Sequence, residues 1–269
     1  MYQNIKDLLG YTIHAADGEI GKVEDFYFDD DQWTIRYLVV GTGSWLDERK
    51  VLIAPSALEE PRQKSFSTRL SRQQVKDSPD IDTHRPVSRQ QEEQLVGYYG
   101  WPVWWPGGVG PTLTGGTPVF GGAIPMPVPV TGREEDDRPL NRADEDERGV
   151  EDAPPDDRRY DPNLRSFKEV SGYRINADDG EIGKMVDLII ETEHWKVMYM
   201  IVDTGGLFPG KKVLVAPSWV QAISLADHAV DVDLKAETIR KSPEWDPSKP
   251  LDRSYEEDLH RYYGKDWRE

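Results

Sequence analysis

The sequence predicts a mainly β protein: two tandem copies of one small β-barrel, each with a short helical C-terminal extension, joined by a disordered tether. Three observations predict it. The chain repeats itself at a fixed offset, each copy reads as short strands punctuated by turns, and the stretch between the copies is too rich in Pro, Gly and charge to pack.

The repeat carries the most weight. Gly10-Tyr11-Thr12-Ile13 and Asp17-Gly18-Glu19-Ile20-Gly21-Lys22 align with Gly172-Tyr173-Arg174-Ile175 and Asp179-Gly180-Glu181-Ile182-Gly183-Lys184, an offset of 162. The match runs without a gap through Trp33/Trp195, Tyr37/Tyr199, Thr42-Gly43/Thr204-Gly205 and Lys50-Val51-Leu52/Lys212-Val213-Leu214 to Ala54-Pro55-Ser56/Ala216-Pro217-Ser218, with close to half the positions identical. A length change near Leu58 moves the offset to 164, and the match resumes at Ser78-Pro79/Ser242-Pro243 and ends at Tyr98-Tyr99-Gly100/Tyr262-Tyr263-Gly264. The duplicated unit therefore includes a tail, and the expected organisation is 1–100, a tether over 101–164, and 165–269.

Within the first copy, Tyr11–Ala16 reads as a strand and Asp17-Gly18 as the hairpin turn, since Gly and Asp tolerate positive φ. Glu19–Asp29 is the return strand. Ile20 and Val23 have opposite parity there, and a bulge at Gly21 would turn both inward. Thr34–Val40, almost wholly apolar, reads as a central strand, with Val51–Ala54 and Ser65–Thr68 as further strands. Ser71-x-x-Gln74 has the form of a capping box opening a brief helix that Pro79 stops. Ser88-x-x-Gln91 opens a second helix with Leu95 and Tyr99 on one face; in the second copy Asp252 takes the capping position and Tyr255, Leu259 and Tyr262 form the stripe. Units of about 60 residues are marginally stable alone, so each tail is expected to cover one surface of its barrel.

The tether has two parts. Gln94–Gly132 holds no charged residue and is dense in Pro and Gly, whereas Arg133–Asp161 is acidic with interspersed Arg. Trp101, Trp104 and Trp105 are its odd feature. They admit two readings: a lid folded back on the Tyr98-Tyr99 helix, or a contact patch for a protein partner or a membrane interface, where Trp is enriched.

Composition narrows the function classes. A net charge of −17 argues against nucleic-acid binding, which runs on clustered Lys and Arg. Cys is absent, which excludes disulfides and thiolate chemistry and suits a reducing compartment. No apolar run is long enough to span a bilayer and the N-terminal residues lack an apolar signal core, so the expected location is the cytoplasm, with at most peripheral contact with the inner membrane. His14, His84, His194, His228 and His260 lack the i, i+3 or i+4 spacing of a helical metal site, Asp29-Asp30-Asp31 lacks the Gly and distal Glu of a calcium loop, and Gly41-Thr42-Gly43 lacks the Lys of a phosphate loop. Asp17, Glu19, Lys22 and Asp25 recur in both copies, where scaffold roles explain them before acid–base chemistry does. The expectation is no enzyme, and no catalytic, cofactor or metal site.

Gly-Tyr-x-Ile-x-Ala-x-Asp-Gly-Glu-Ile-Gly-Lys, followed by Asp25 or Asp187 in the next strand, resembles the opening of the PRC-barrel domain over Gly10–Leu58 and Gly172–Val220. That family includes the cytoplasmic barrel of the photosynthetic reaction-centre H subunit, whose acidic residues are associated with proton passage toward a quinone. It also includes the C-terminal barrel of a ribosomal-RNA processing factor. The resemblance implies a non-enzymatic interaction or assembly module in a bacterial cytoplasm, at or near a membrane or a larger complex, with a protein partner it does not identify. Two tethered barrels can pair with each other, or the chain can form a homodimer. The rival reading is an H-subunit-like accessory of photosynthetic electron or proton transfer, and a weaker one is a ribosome-assembly factor.

Overall fold

Each strand expected in the first copy is present, and a further pair of strands appears where none was anticipated. The computed structural model describes residues 1–79, 87, 89–102, 163–205 and 210–266. The first half runs β1 (Tyr2–Asn4), α1 (Ile5–Leu8), β2 (Thr12–Ala15), β3 (Gly18–Asp29), β4 (Thr34–Gly41), β5 (Lys50–Ile53), β6 (Ser65–Ser67), α2 (Arg72–Lys76) and α3 (Arg89–Tyr99). The second half follows this order with one added strand, β12, and runs β7 (Leu164–Ser166), α4 (Phe167–Val170), β8 (Arg174–Ala177), β9 (Gly180–Glu191), β10 (Lys196–Asp203), β11 (Lys212–Val215), β12 (Val220–Ser224), β13 (Ala229–Val232), α5 (Ala236–Lys241) and α6 (Arg253–Tyr263).

Local chemistry explains most of these elements. The hairpin from β2 to β3 turns on Ala16 and Asp17, because Ala15 pairs with Gly18. The turn thus sits one residue earlier than the Asp-Gly dipeptide suggests, and Gly18 takes φ +142° at the start of β3 instead of a type I′ position. The register shifts between Ile13 and His14, leaving Ile20 as the extra residue, so Ile20 and Val23 are both buried. Gly21 is required by close approach: a Cβ there would lie 2.0 Å from the Gly41 carbonyl oxygen, and one at Gly183 would lie 2.0 Å from that of Asp203. The capping box at Ser71 and Gln74 forms as read, and Asp252 accepts from the Tyr255 N–H at 3.0 Å to open α6. Ser88 lies outside the described residues, as does most of the tether.

The apolar run of β4 follows from burial on both faces. Ile35, Leu38 and Val40 face one cluster with Phe26, Phe28 and Phe66, while Tyr37 and Val39 face a second with Tyr27, Leu52 and Leu95 under α3. The register between β3 and β4 steps from Tyr27↔Tyr37 to Phe28↔Ile35, which makes Arg36 a bulge residue; Met198 holds the same place between β9 and β10. Each tail covers a sheet face as expected. In α6, however, Tyr263 rather than Tyr262 turns inward, and Tyr262 is exposed with its hydroxyl donating to the Thr238 carbonyl at 2.9 Å.

The sheet does not divide between the halves. Its thirteen strands run β12-β13-β8-β9-β10-β4-β3-β2-β6, with β5 on β4, β11 on β10, β1 on β9 and β7 on β3. The larger apolar cluster likewise draws on both halves, from Ile5 and Phe26 to Phe167 and Met200.

Candidate functional site

The junction between the halves is built from elements that pair across the repeat. β1 pairs antiparallel with β9 as Tyr2↔Glu191, Gln3↔Ile190 and Asn4↔Ile189. β7 pairs with β3 as Leu164↔Asp29, Arg165↔Phe28 and Ser166↔Tyr27. Shifting every number by 162 converts one set into the other, so the halves exchange their leading strands about a pseudo-twofold axis. On the axis, β4 and β10 meet at Thr34↔Lys196, with Ile35 N–H donating to the Trp195 carbonyl at 2.8 Å and Val197 N–H to that of Trp33 at 2.7 Å.

Those two tryptophans are held in the left-handed region, at φ 53° for Trp33 and 55° for Trp195. A non-glycine residue pays on the order of 1–3 kcal/mol for that conformation. Here it turns each carbonyl toward the other half, and the side chains are buried, with Trp195 against Phe66 at 5.8 Å between ring centroids.

The recurring carboxylates belong to the same construction. Asp25 accepts from the Phe26 N–H at 2.8 Å, and from the opposite half it takes the Lys168 N–H at 3.0 Å and the Ser166 hydroxyl at 2.5 Å. Asp187 accepts from the Leu188 N–H at 2.8 Å and, across the junction, from the Lys6 N–H at 3.2 Å. Burial raises both pKa values above the ordinary 3.8 against the pull of these donors; Asp187, with one donor fewer, reaches about 6. Asp17 and Asp179 each accept one N–H at 2.7 Å, from Arg72 at the start of α2 and from Ala236 at the start of α5. Glu19, Lys22, Glu181 and Lys184 are exposed. The four recurring aspartates therefore hold the fold together, and they do not converge on one another.

The remaining candidates are scattered. His14 is exposed on β2, His228 lies edge-on to Tyr173, His260 is buried beside Trp219, and His84 lies outside the described residues. Glu191, Glu193 and His194 bring ligand atoms within 4.8 Å of one another. Burial opposes the Glu191 charge, but N–H donors from Glu193 and His194, the His194 ring and the N-terminal ammonium outweigh it and lower the carboxyl to about 2. That carboxylate is occupied in closing a turn.

Of the aromatic candidates, Trp101 folds back: it stacks on Tyr99 at 4.2 Å, lies near Tyr37 and is only 5% exposed. Trp104 and Trp105 lie outside the described residues. Trp101 and Leu164, which the sequence assigns to the tether, are part of the described fold: Trp101 is core and Leu164 begins β7. Between the halves a groove of about 480 Å³ is lined by Ile35, Leu58, Glu59, Glu193, His194 and Trp195 among others.

A β-rich hairpin unit whose leading strand, one-turn helix, glycine bulge and buried aspartate occur in this order now has a match. Residues 3–59 are a PRC-barrel domain. The PRC-barrel match begins at Gln3, so β1 and α1, which the repeat beginning at Gly10 leaves out, belong to the domain. Their signal was in the sequence: Ile5/Phe167, Lys6/Lys168 and Leu8/Val170 keep the same offset of 162. PRC-barrel domains are often involved in protein interactions, and the domain points to a protein-interaction or assembly module. No curated protein matches the chain. Among the described residues no helix is long and apolar enough to cross a membrane.

Proposed function

We propose that this chain is a non-enzymatic interaction or assembly module made of two PRC-type units that form one internal pair. The second unit duplicates the first, and the pair presents a composite surface to a protein partner in a bacterial cytoplasm, at or near a membrane or larger complex. The reciprocal exchange of β1 and β7 carries this reading. Polar groups that a hydrolytic or proton-transfer site would need, Asp25 and Asp187 above all, are spent on joining the halves.

The test uses the full chain with a protease site placed within 103–162. After cutting, the two fragments should co-elute as one particle; fragments that separate in native buffer would defeat the internal pair. Native capture of the intact chain should then recover a protein in stoichiometric amount. Recovery of a bound pigment or quinone in place of a protein would favour the photosynthetic accessory, and sedimentation with ribosomal particles would favour the assembly factor.

A further inference from the structure

We propose that the junction selects for unlike halves, so that each half accepts the other and rejects a second copy of itself. The proposal rests on the paired-module reading and concerns which pairs form.

Most junction contacts are the same on both sides of the pseudo-twofold axis and cannot discriminate. The buried Ile5 and Leu8 correspond to Phe167 and Val170, the Lys6 N–H on Asp187 to the Lys168 N–H on Asp25, and the Trp195 carbonyl to that of Trp33. A like pair would satisfy the hydrogen bonds among these and would change only the packing of the apolar side chains. Some contacts have no counterpart, such as the Ser166 hydroxyl on Asp25, whose equivalent place holds Asn4, and two of them carry the discrimination. Tyr2 donates its hydroxyl to Glu256 Oε1 at 3.0 Å, a carboxylate only 8% exposed, whereas the equivalent Leu164 packs in the apolar cluster with Tyr27, Tyr37 and Leu95. Arg165 Nε pairs with Asp30 Oδ2 at 2.7 Å, both largely buried, whereas the equivalent places hold Gln3 and Thr192.

Building the like pairs from these residues breaks both contacts. In a pair of second halves, Leu164 would stand where Tyr2 stands, leaving Glu256 the Tyr199 hydroxyl at 3.4 Å, and Arg165 would face Thr192. In a pair of first halves, the Tyr2 hydroxyl would enter the apolar cluster, and Asp30 would face Gln3 in place of a guanidinium. A buried polar group that loses its partner costs more than the contact itself is worth, so specificity here comes from what the wrong pair leaves unsatisfied.

The full chain, cut at a protease site within 103–162, is dissociated in urea, refolded by dilution and read by native mass spectrometry. The fragments differ in mass, so unlike and like pairs are resolved. Like pairs should fall at least about tenfold below their random share. Tyr2→Leu combined with Arg165→Gln makes the two leading strands alike at both positions, and like pairs should rise toward the random share. A cut wild type that scrambles at random, or a double variant that still forms only unlike pairs, overturns the proposal. Should the double variant not refold, Tyr2→Phe and Arg165→Gln singly serve the same purpose, each raising the like-pair fraction; no rise in either is equally fatal. Fragments that part in native buffer before any urea is added refute the paired-module reading instead.

Discussion

The two halves bury a carboxylate at the same place in the tail helix and satisfy it differently. In the first half, Glu92 on α3 takes Arg36 Nη1 at 3.2 Å, and the same guanidinium pairs with Asp29. All three side chains are almost fully buried and belong to one half. In the second half the bulge residue is Met198, and Glu256 on α6 accepts instead from Tyr199 at 3.4 Å and from Tyr2, which comes from the other half, at 3.0 Å. Burial, then the neighbouring Glu256 carboxylate, pushes the Tyr2 hydroxyl up to about 12, which keeps it a donor at neutral pH. The buried carboxylate of α3 thus finds its cation within its own half, whereas that of α6 is satisfied partly from across the junction.

The largest test of that contrast is Arg36→Met, which places the second half's bulge residue in the first. It removes the buried guanidinium that Asp29 and Glu92 share and should cost about 3–5 kcal/mol in urea unfolding. A loss below 1 kcal/mol would mean that the network contributes little. Next come Leu95→Ala and Leu259→Ala, at buried equivalent places under α3 and α6. Each should lower stability by about 2–5 kcal/mol, and an unchanged melt for either would show that its tail is not docked.

Tyr2→Phe sharpens the comparison further. Removing the hydroxyl leaves Glu256 one donor short, a loss of about 1–3 kcal/mol. Hydrogen exchange should quicken in α6 while α3, fastened by Arg36, keeps its protection; equal loosening of both would contradict the asymmetry. The smallest effect is on pH dependence. Burial first, against the Leu188 and Lys6 N–H donors, raises Asp187 in the folded chain to about 6 from 3.8. The folded state therefore holds this proton longer than the unfolded state, and stability should rise as pH falls through about 6, levelling below 3.8. Asp25 and Asp30 shift in the same direction, while Glu191, lowered to about 2, opposes them only below its ordinary 4.5. Asp187→Asn should flatten the slope between pH 6 and 4 in a series of urea melts, and an unaltered slope would assign it to other groups.

Much of the fold was legible. The strands of the first copy fall within a residue or two of their expected ends, and the Ser71 and Asp252 caps form as read, because such signals involve neighbours a few positions apart. A bulge at this place was readable from parity, although its extra residue is Ile20 and Gly21 stays paired with Ile13. The turn at Ala16-Asp17 was misplaced by one residue because Gly18 is needed for φ at the strand start, a demand that looks the same in sequence as a turn centre. Three-residue strands such as β1 and one-turn helices such as α1 carry no periodicity, and only their place in the repeat reveals them. The candidate site was less legible. Trp101, Trp104 and Trp105 could be read either as lid or as patch; Trp101 stacks on Tyr99, and the other two lie outside the described residues. The structural use of Asp25 and Asp187 was anticipated only as scaffold, with no indication that their partners lie 143 and 181 residues away.

By itself the sequence determined the repeat, the local strand and cap chemistry and the sites where only glycine fits, since each depends on a short stretch of backbone and its immediate side chains. Tertiary structure alone decided that the leading strands cross to the opposite half, that one tail is fastened by an arginine and the other by a tyrosine from across the junction, and that Tyr263 faces the core in place of Tyr262. A donor and an acceptor more than a hundred residues apart leave no pattern along the chain. Their pairing is set by which buried groups would otherwise remain unsatisfied once the halves have met.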